Sequence, residues 1–231
     1  MSTSPIAAMF DRISPKYDAL NHMLSLNIDK IWRKKAAKAA SQKHPKAILD
    51  LATGTADLAI ALAKRNAQAH ITGMDISEKM LEIGKEKVAK QNLENQIELR
   101  LGDAAALPFE DATFDAVTVA FGVSNFVDLG KGLAEISRVL KSNGQSVILE
   151  FSMPEKFPVK QLYRFYFKQF LPKIGRWVSK DDGAYSYLPA SVEKFPKPND
   201  FSDMLASFGL KAQQVRSLSF GIATLYVAVK A

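Results

Sequence analysis

The chain has 231 residues, 47% of them hydrophobic and 24% charged, which suits one large domain or two small ones and is too apolar for a disordered chain. It has no cysteine and only three histidines, His22, His44 and His70, far apart in sequence; disulfides, thiolate nucleophiles and cysteine metal sites are excluded, and a histidine-rich metal centre is not expected. The net charge is +7, yet seven basic residues lie between Lys30 and Lys46 with no acid among them, and seven more between Pro154 and Lys180 against Glu155 alone, so the rest of the chain is mildly acidic.

Two basic segments on an acidic body suit nucleic acid, an anionic membrane surface or an acidic ligand, and equally suit two solvated helix faces. No apolar run approaches the roughly 20 residues of a membrane-spanning helix. The opening MSTSPIAAMFDRISPKYD lacks the basic and apolar regions of a secretory signal, so a cytoplasmic protein is expected.

In chain order, residues up to about Gln42 are expected to be helical, with Asn27 capping a helix that turns Ile31 and Trp32 inward and its lysines outward. From Ala47 the pattern changes to strands alternating with helices. AILDLA runs into the Gly-containing turn TGTAD and a helix carrying Leu58, Ile60 and Leu62. HITGMD is a second strand, followed by a helix capped by Ser77 and carrying Met80, Leu81, Ile83 and Val88. IELRL alternates apolar and polar residues as a third strand, and FDAVTVAF is a continuous apolar fourth. Asp128 caps GKGLAEISRVL, and an Asn143-Gly144 turn leads into SVILEF.

Five strand-to-helix alternations predict a parallel sheet with helices on both faces. After an aromatic- and proline-rich interruption from about Met153 to Pro198, Asn199 caps DFSDMLASF, Gly209 ends it, and AQQVRSL and TLYVAVK form a hairpin at the sheet edge.

Ligands of such sheets sit beyond the carboxyl ends of the strands, where strand order reverses. The informative residues are therefore at strand ends. Asp50 to Asp57 holds Gly54, where the backbone turns tightly, and Thr55, before a helix N-terminus with free N–H groups. Asp75 ends the second strand, where an acid accepts both ribose hydroxyls of a nucleoside. Asp103 and Ala104 form a turn that can meet an adenine edge, and Ala120, Phe121 and Gly122 line the same crevice. Singly, Gly54 and Asp103 are better explained as turn residues and Asp75 as a helix-leading residue. Jointly they describe an adenosine pocket.

A dinucleotide fold would show G-x-G-x-x-G. Here the run is Gly54-Thr55-Ala56-Asp57-Leu58-Ala59, without the second and third glycines and with Asp57 where phosphate should sit. The ligand is expected to be adenosine without phosphate. S-adenosyl-L-methionine satisfies that, because its positive sulfonium and its amino group suit Asp50 and Asp57; NAD fits less well.

The runs KYD, LDLATGTADLA, GMDISEKMLEIGKEK, GDAAALPFEDATFDAVTVAFGVSNF, RVLKSNG, ILEFSMP, LPKIG and AYSYLPASVEKFP resemble the menaquinone/ubiquinone C-methyltransferase family from about Phe10 to the C-terminus. The resemblance implies an α/β fold of the Rossmann-like class I S-adenosylmethionine-dependent methyltransferase type. Its mostly parallel seven-stranded sheet would carry helices on both faces and a C-terminal antiparallel hairpin. It implies C-methylation of demethylmenaquinol to menaquinol, or of a polyprenyl benzoquinol in ubiquinone synthesis, with Thr55, Asp75, Asp103 and Ala104 as cofactor contacts.

The organisation implied is one domain: 1–45 an N-terminal helical substrate-side segment, 46–152 the cofactor-binding core, 153–198 an aromatic and basic cap, and 199–231 the C-terminal helix and hairpin. Three positions depart from the family pattern. Ala56 replaces a glycine, which a Cβ tolerates at negative φ; Ser124 stands where Arg is common; and Asp29 occupies a frequent His position.

The substrate side is less defined. A polyprenylated quinol needs a partner for its phenol, and Tyr17, Asp18, Asn21, Asp182 and Tyr185 are the candidates; His22 is expected to be a surface or capping residue. The basic 153–198 segment contains the consecutive Phe165-Tyr166-Phe167, which fan over more than one helix face and need a cover. That cover is expected to be a polyprenyl tail or an anionic membrane at the inner membrane face, against the alternative of a homodimer contact. A module binding RNA or lipid without catalysis is the competing class, but no single-strand-binding signature accompanies the basic segments, and no nucleic-acid partner is expected.

Overall fold

The computed structural model describes residues 5–25, 27–165 and 191–231. Five strands, β1 (Ala47–Leu51), β2 (His70–Asp75), β3 (Ile97–Leu101), β4 (Phe114–Ala120) and β5 (Leu140–Phe151), pair in parallel. The last two, β6 (Leu210–Leu218) and β7 (Ala223–Lys230), are antiparallel, and the single sheet runs β3-β2-β1-β4-β5-β7-β6. The C-terminal hairpin thus closes one edge, as the sequence predicts. Central strands covered on both faces need apolar residues pointing both ways; β1 and β4 supply them with Ile48, Leu49, Leu51, Val117 and Val119, all buried.

Each face carries its own core. On one, α2 (Ile28–Ala40), α3 (Asp57–Ala63) and α4 (Glu78–Ala89) bury Trp32, Ala36, Ala40, Leu62 and Val88 against Ile48 and Ile71. On the other, α5 (Leu129–Val139) and α7 (Pro198–Ser207) bury Leu133, Ile136, Phe201 and Leu205 against Leu49, Val119 and Tyr226. The alanines of α2 let it lie close to the sheet. The N-terminal helix α1 (Pro5–Leu24) packs on α4 and α2, and the short α6 (Val159–Phe165) follows β5. No helix among the described residues is long and apolar enough to cross a membrane.

Ser77 and Asp128 cap α4 and α5, accepting the N–H groups of Met80 and Lys131, and Gly209 follows α7 at φ +75. Several local expectations are corrected. Asn27 is left-handed (φ 61) and makes no capping bond. Ile31 is 53% exposed while Arg33 is buried, because α2 is rotated by one position from the orientation that apolarity suggests. The α7 helix starts at Pro198, whose missing N–H costs nothing in a first turn; Lys197 takes the cap position without a side-chain bond, and Asn199 lies inside the helix.

Strand β5 begins at Leu140, so Asn143-Gly144 falls within it, at a shift of register against β4. Residues 102–113 between β3 and β4 hold turns and no helix, so β4 follows β3 without a crossover helix. Ala56 takes φ +66, not the negative value its Cβ would favour. Asp182, Tyr185, Tyr166 and Phe167 lie outside the described residues.

Candidate active site

Strand order reverses at β1, which has β2 on one side and β4 on the other. Its carboxyl end therefore opens the crevice in which such sheets hold ligands. Two connected cavities fill it. The larger encloses about 650 Å³, counting the part open to solvent, and the smaller about 320 Å³; Tyr17, Ala52, Gly54 and Ala120 line both. The strand exits are opened by unusual backbone: Gly54 (φ +56) and Ala56 (φ +66) in the β1–α3 turn, and Phe121 (φ +59) after β4. At Gly54 a side chain would meet nothing within 4 Å, so the glycine answers to its φ and not to crowding.

The larger cavity has a nucleoside-like lining. Asp75 stands at its rim, its Oδ2 accepting the Gly54 N–H (2.8 Å) and its Oδ1 the Ser77 N–H (2.9 Å). Burial pushes its carboxyl above the ordinary range, against the pull of those backbone donors. Asp103 and Ala104 lie on the wall below, with the Asp103 carboxylate fixed by the Ala105 N–H at 2.9 Å. Apolar surface comes from Met74, Ile76, Phe121, Phe126 and Val127, and from α1, whose Ile6, Phe10 and Tyr17 share one helical face.

The smaller cavity is polar. Asp50, Thr53, Thr55, Asp57 and Arg33 line it. Asp50 is almost fully enclosed and accepts the Thr53 hydroxyl at 2.6 Å and the Thr118 hydroxyl at 2.6 Å from its register partner on β4. Burial raises its carboxyl to about 6. The Thr55 hydroxyl donates to Asp18 on α1 at 2.6 Å. Asp57, expected as an open negative charge, is ion-paired with Lys87, which also bonds Asp18 at 2.9 Å.

The structure thus places Asp50, Gly54, Thr55, Asp75, Asp103, Ala104 and Ala120 around one connected space. Of the substrate-side candidates, Tyr17 is on the wall, packed edge-to-face on Phe10 (6.0 Å). Asp18 is committed to Thr55 and Lys87. Asn21 lies on α1, with its side chain outside the description. His22, in the last turn of α1, is half-buried: its Nδ1 is 2.9 Å from Asp29, which also accepts Ser25 and Arg33. Burial opposes ionisation of Asp29, but the Ser25 hydroxyl and the Arg33 and His22 charges outweigh it and hold the carboxyl low. At the family's frequent His position, Asp29 is therefore the acceptor around which three side chains gather.

Glu150 was not foreseen. It lies at the end of β5, fully buried, and accepts the N–H groups of Phe151 (2.9 Å) and Ser124 (3.2 Å), so it underpins the 3₁₀ turn Val123–Asn125 beside the larger cavity. Burial raises its carboxyl to about 7. An acid between Leu149 and Phe151 in an apolar strand was the available signal, as was the 4- and 7-residue spacing of Ile6, Phe10 and Tyr17.

This donor set fits S-adenosyl-L-methionine. An apolar slot with Asp75 and Asp103 on its wall suits a nucleoside, and a second chamber with Asp50, Asp57 and Arg33 suits a charged amino-acid tail, whereas a diphosphate would meet Asp57 and lack the glycines it needs.

Comparison with known proteins agrees. The chain is 46% identical over 225 residues to a demethylmenaquinone methyltransferase of Bacteroides fragilis, covering 97% of this chain and 92% of that one. It is 45% identical over 226 residues to a ubiquinone/menaquinone biosynthesis C-methyltransferase of Geotalea daltonii, covering 97% and 96%. Among solved structures, an S-adenosylmethionine-dependent methyltransferase from Aquifex aeolicus superposes with TM-score 0.60 at 19% identity, covering 80% of this chain and 82% of the other, which speaks to the fold alone. The model of the ubiE/COQ5 methyltransferase family matches residues 1–230, and the chain belongs to that family.

Proposed function

We propose that the protein methylates a ring carbon of demethylmenaquinol, moving the methyl group of S-adenosyl-L-methionine to that carbon with loss of its proton. The observation that carries the reading is the two-chambered, phosphate-averse crevice at the β1/β4 exit in a chain of this family. Bound there, the cofactor supplies an electrophilic methyl on a positively charged sulfur, so the protein's work is alignment and exclusion of water.

Asp75 takes the ribose hydroxyls, and the Asp103–Ala104 turn meets the adenine edge. Gly54 and Ala120, common to both chambers, flank the junction where the tail leaves the nucleoside. Phe121, Phe126 and Val127, with Phe10 of α1 above, keep that junction dry. Tyr17, at the meeting of both chambers, is the candidate placed to orient the acceptor's phenol; Asp18 serves to hold α1 down. The acceptor itself is a polyprenylated naphthoquinol, and the exposed Phe157, Leu162 and Phe165 beside Lys156 and Lys160 suit an anionic lipid surface from which such a substrate would be drawn.

The test is direct. Purified protein with labelled S-adenosyl-L-methionine is expected to methylate demethylmenaquinol and to use the benzoquinol precursor of ubiquinone poorly. Transfer to the benzoquinol alone would move the assignment to ubiquinone synthesis, and transfer to neither would overturn it. Sedimentation with anionic and neutral vesicles tests the lipid contact, which predicts binding to the anionic ones only.

A further inference from the structure

One wall of the larger cavity is unlike the rest. Apart from the α1 residues, its lining among the described residues belongs to a strand end, a strand exit or the first turn of α4, all fixed to the sheet by chain continuity. Ile6 and Phe10 come instead from the amino-terminal half of α1, and that helix is interrupted at Pro15. Proline has no N–H for the carbonyl four residues back, and its ring crowds that carbonyl. The carbonyl released is that of Asp11, and it accepts the Ser14 hydroxyl at 3.1 Å in place of the lost bond. Pro15 itself is exposed, so a change of angle there need not disturb the core.

The two halves of α1 are held separately. Beyond Pro15, Asp18 accepts the Thr55 hydroxyl and Lys87. Before it, Asp11 accepts the Ser77 hydroxyl at 2.6 Å and the Lys79 N–H at 3.3 Å, at the amino end of α4, where a negative charge is favoured. The apolar seat of this half is Ala7 and Met9, both buried. Ser77 also serves the cavity, because its own N–H goes to Asp75 at 2.9 Å. Burial, and with it the nearby Asp11 charge, pushes the Asp75 carboxyl up, so closure over an empty slot sets two acids near each other. A ligand whose hydroxyls donate to Asp75, and whose apolar surface Ile6 and Phe10 cover, favours the closed form. We propose that residues 5–14 of α1 form a lid over the larger cavity, hinged at Pro15 and latched by Asp11 on Ser77, which lifts for the cofactor to enter and for its demethylated product to leave. This rests on the cofactor assignment above. The half of α1 beyond the hinge, with Tyr17 and Asp18, stays seated.

Stopped-flow binding of S-adenosylhomocysteine tests it. A lid obstructs entry and exit alike, so Asp11→Ala, which frees the latch, is expected to speed association and dissociation together, each by about threefold or more. Pro15→Ala restores the missing hydrogen bond and stiffens the hinge, and is expected to slow both rates by a similar factor. A residue that only shapes the cavity changes dissociation alone; that result for Asp11→Ala, or no change in either rate, overturns the proposal. Should Asp11→Ala fail to fold, hydrogen exchange of the unsubstituted protein carries the test. S-adenosylhomocysteine is expected to slow exchange of the amides of residues 9–14 by about tenfold or more and those of 17–24 by less than about threefold. Equal protection on the two sides of Pro15 refutes a hinge there. If the unsubstituted protein binds no S-adenosylhomocysteine, the cofactor assignment fails and takes the lid with it; if it binds the ligand at rates indifferent to Asp11, the lid fails alone.

Discussion

Asp75→Ala removes the carboxylate at the rim of the nucleoside cavity. In the structure each of its oxygens accepts one backbone N–H, from Gly54 and from Ser77, which leaves a second lone pair on each to receive a ribose hydroxyl. Hydrogen bonds to a charged group contribute about 1.5–3 kcal/mol apiece. Two of them, less what water recovers in the emptied space, leave about 2–3 kcal/mol, a fall of roughly thirty- to hundredfold in affinity.

Asparagine is no rescue here. Its amide nitrogen would have to face either the Gly54 or the Ser77 N–H, donor against donor, so Asp75→Asn is expected to bind as poorly as the alanine variant. The assay is calorimetry with S-adenosylhomocysteine and with its 2′-deoxy counterpart. If Asp75 grips the sugar, the alanine substitution costs the ribose ligand more than the deoxyribose one. Equal losses would mean that Asp75 only shapes the Gly54 turn, and unchanged affinity would remove it from the site.

Three further outcomes are expected. Burial raises Glu150 from 4.5 to about 7, so the folded state keeps a proton that the unfolded chain releases; the stability this contributes is full below pH 4.5 and falls as pH rises to about 7, by about 3 kcal/mol in all. Glu150→Gln should flatten the pH dependence of urea denaturation over that range, and profiles parallel to the unsubstituted protein would contradict the assignment. At Gly122 an added Cβ would sit 2.4 Å from the Cβ of Ala52, so Gly122→Ala must spread the β1 and β4 exits and should weaken S-adenosylhomocysteine at least tenfold by calorimetry; undiminished binding would show the exits to be pliable. Lys87→Met leaves Asp18 and Asp57 without their shared cation, and hydrogen exchange of α1 amides should quicken about tenfold; unchanged protection would place the hold on α1 elsewhere.

The strands and the strand-end acids were legible because their physics is local. Apolar runs such as AILDLA and HITGMD declare a buried parallel sheet, and an acid or glycine at the end of each run falls at the crevice by topology alone. Caps that rest on one side chain and one N–H, Ser77 and Asp128, were legible for the same reason. What escaped depends on partners far away in sequence. Arg33 looks like its lysine neighbours until Asp29, His22 and Phe121 surround it, and Ile31 faces solvent because the rotation of α2 follows the fit of Trp32 and the alanines. Glu150 is an acid tolerated in a core strand only because two backbone donors meet it there. Ala56 holds φ +66 where glycine would be easier, fully enclosed in the core beside α3, so packing around the methyl overrides the backbone preference.

The N-terminal helix is pinned at two points along the crevice, by Asp11 on the Ser77 hydroxyl (2.6 Å) and by Asp18 on the Thr55 hydroxyl (2.6 Å). Its Ile6, Phe10 and Tyr17 roof the nucleoside slot, with Tyr17 between those pins and the other two just before the first. Trimming the chain back to its sheet and flanking helices would therefore unroof the slot while leaving the scaffold standing. Such a shortened protein would unfold cooperatively and bind donor feebly, so an inactive truncation must not be mistaken for a misfolded one.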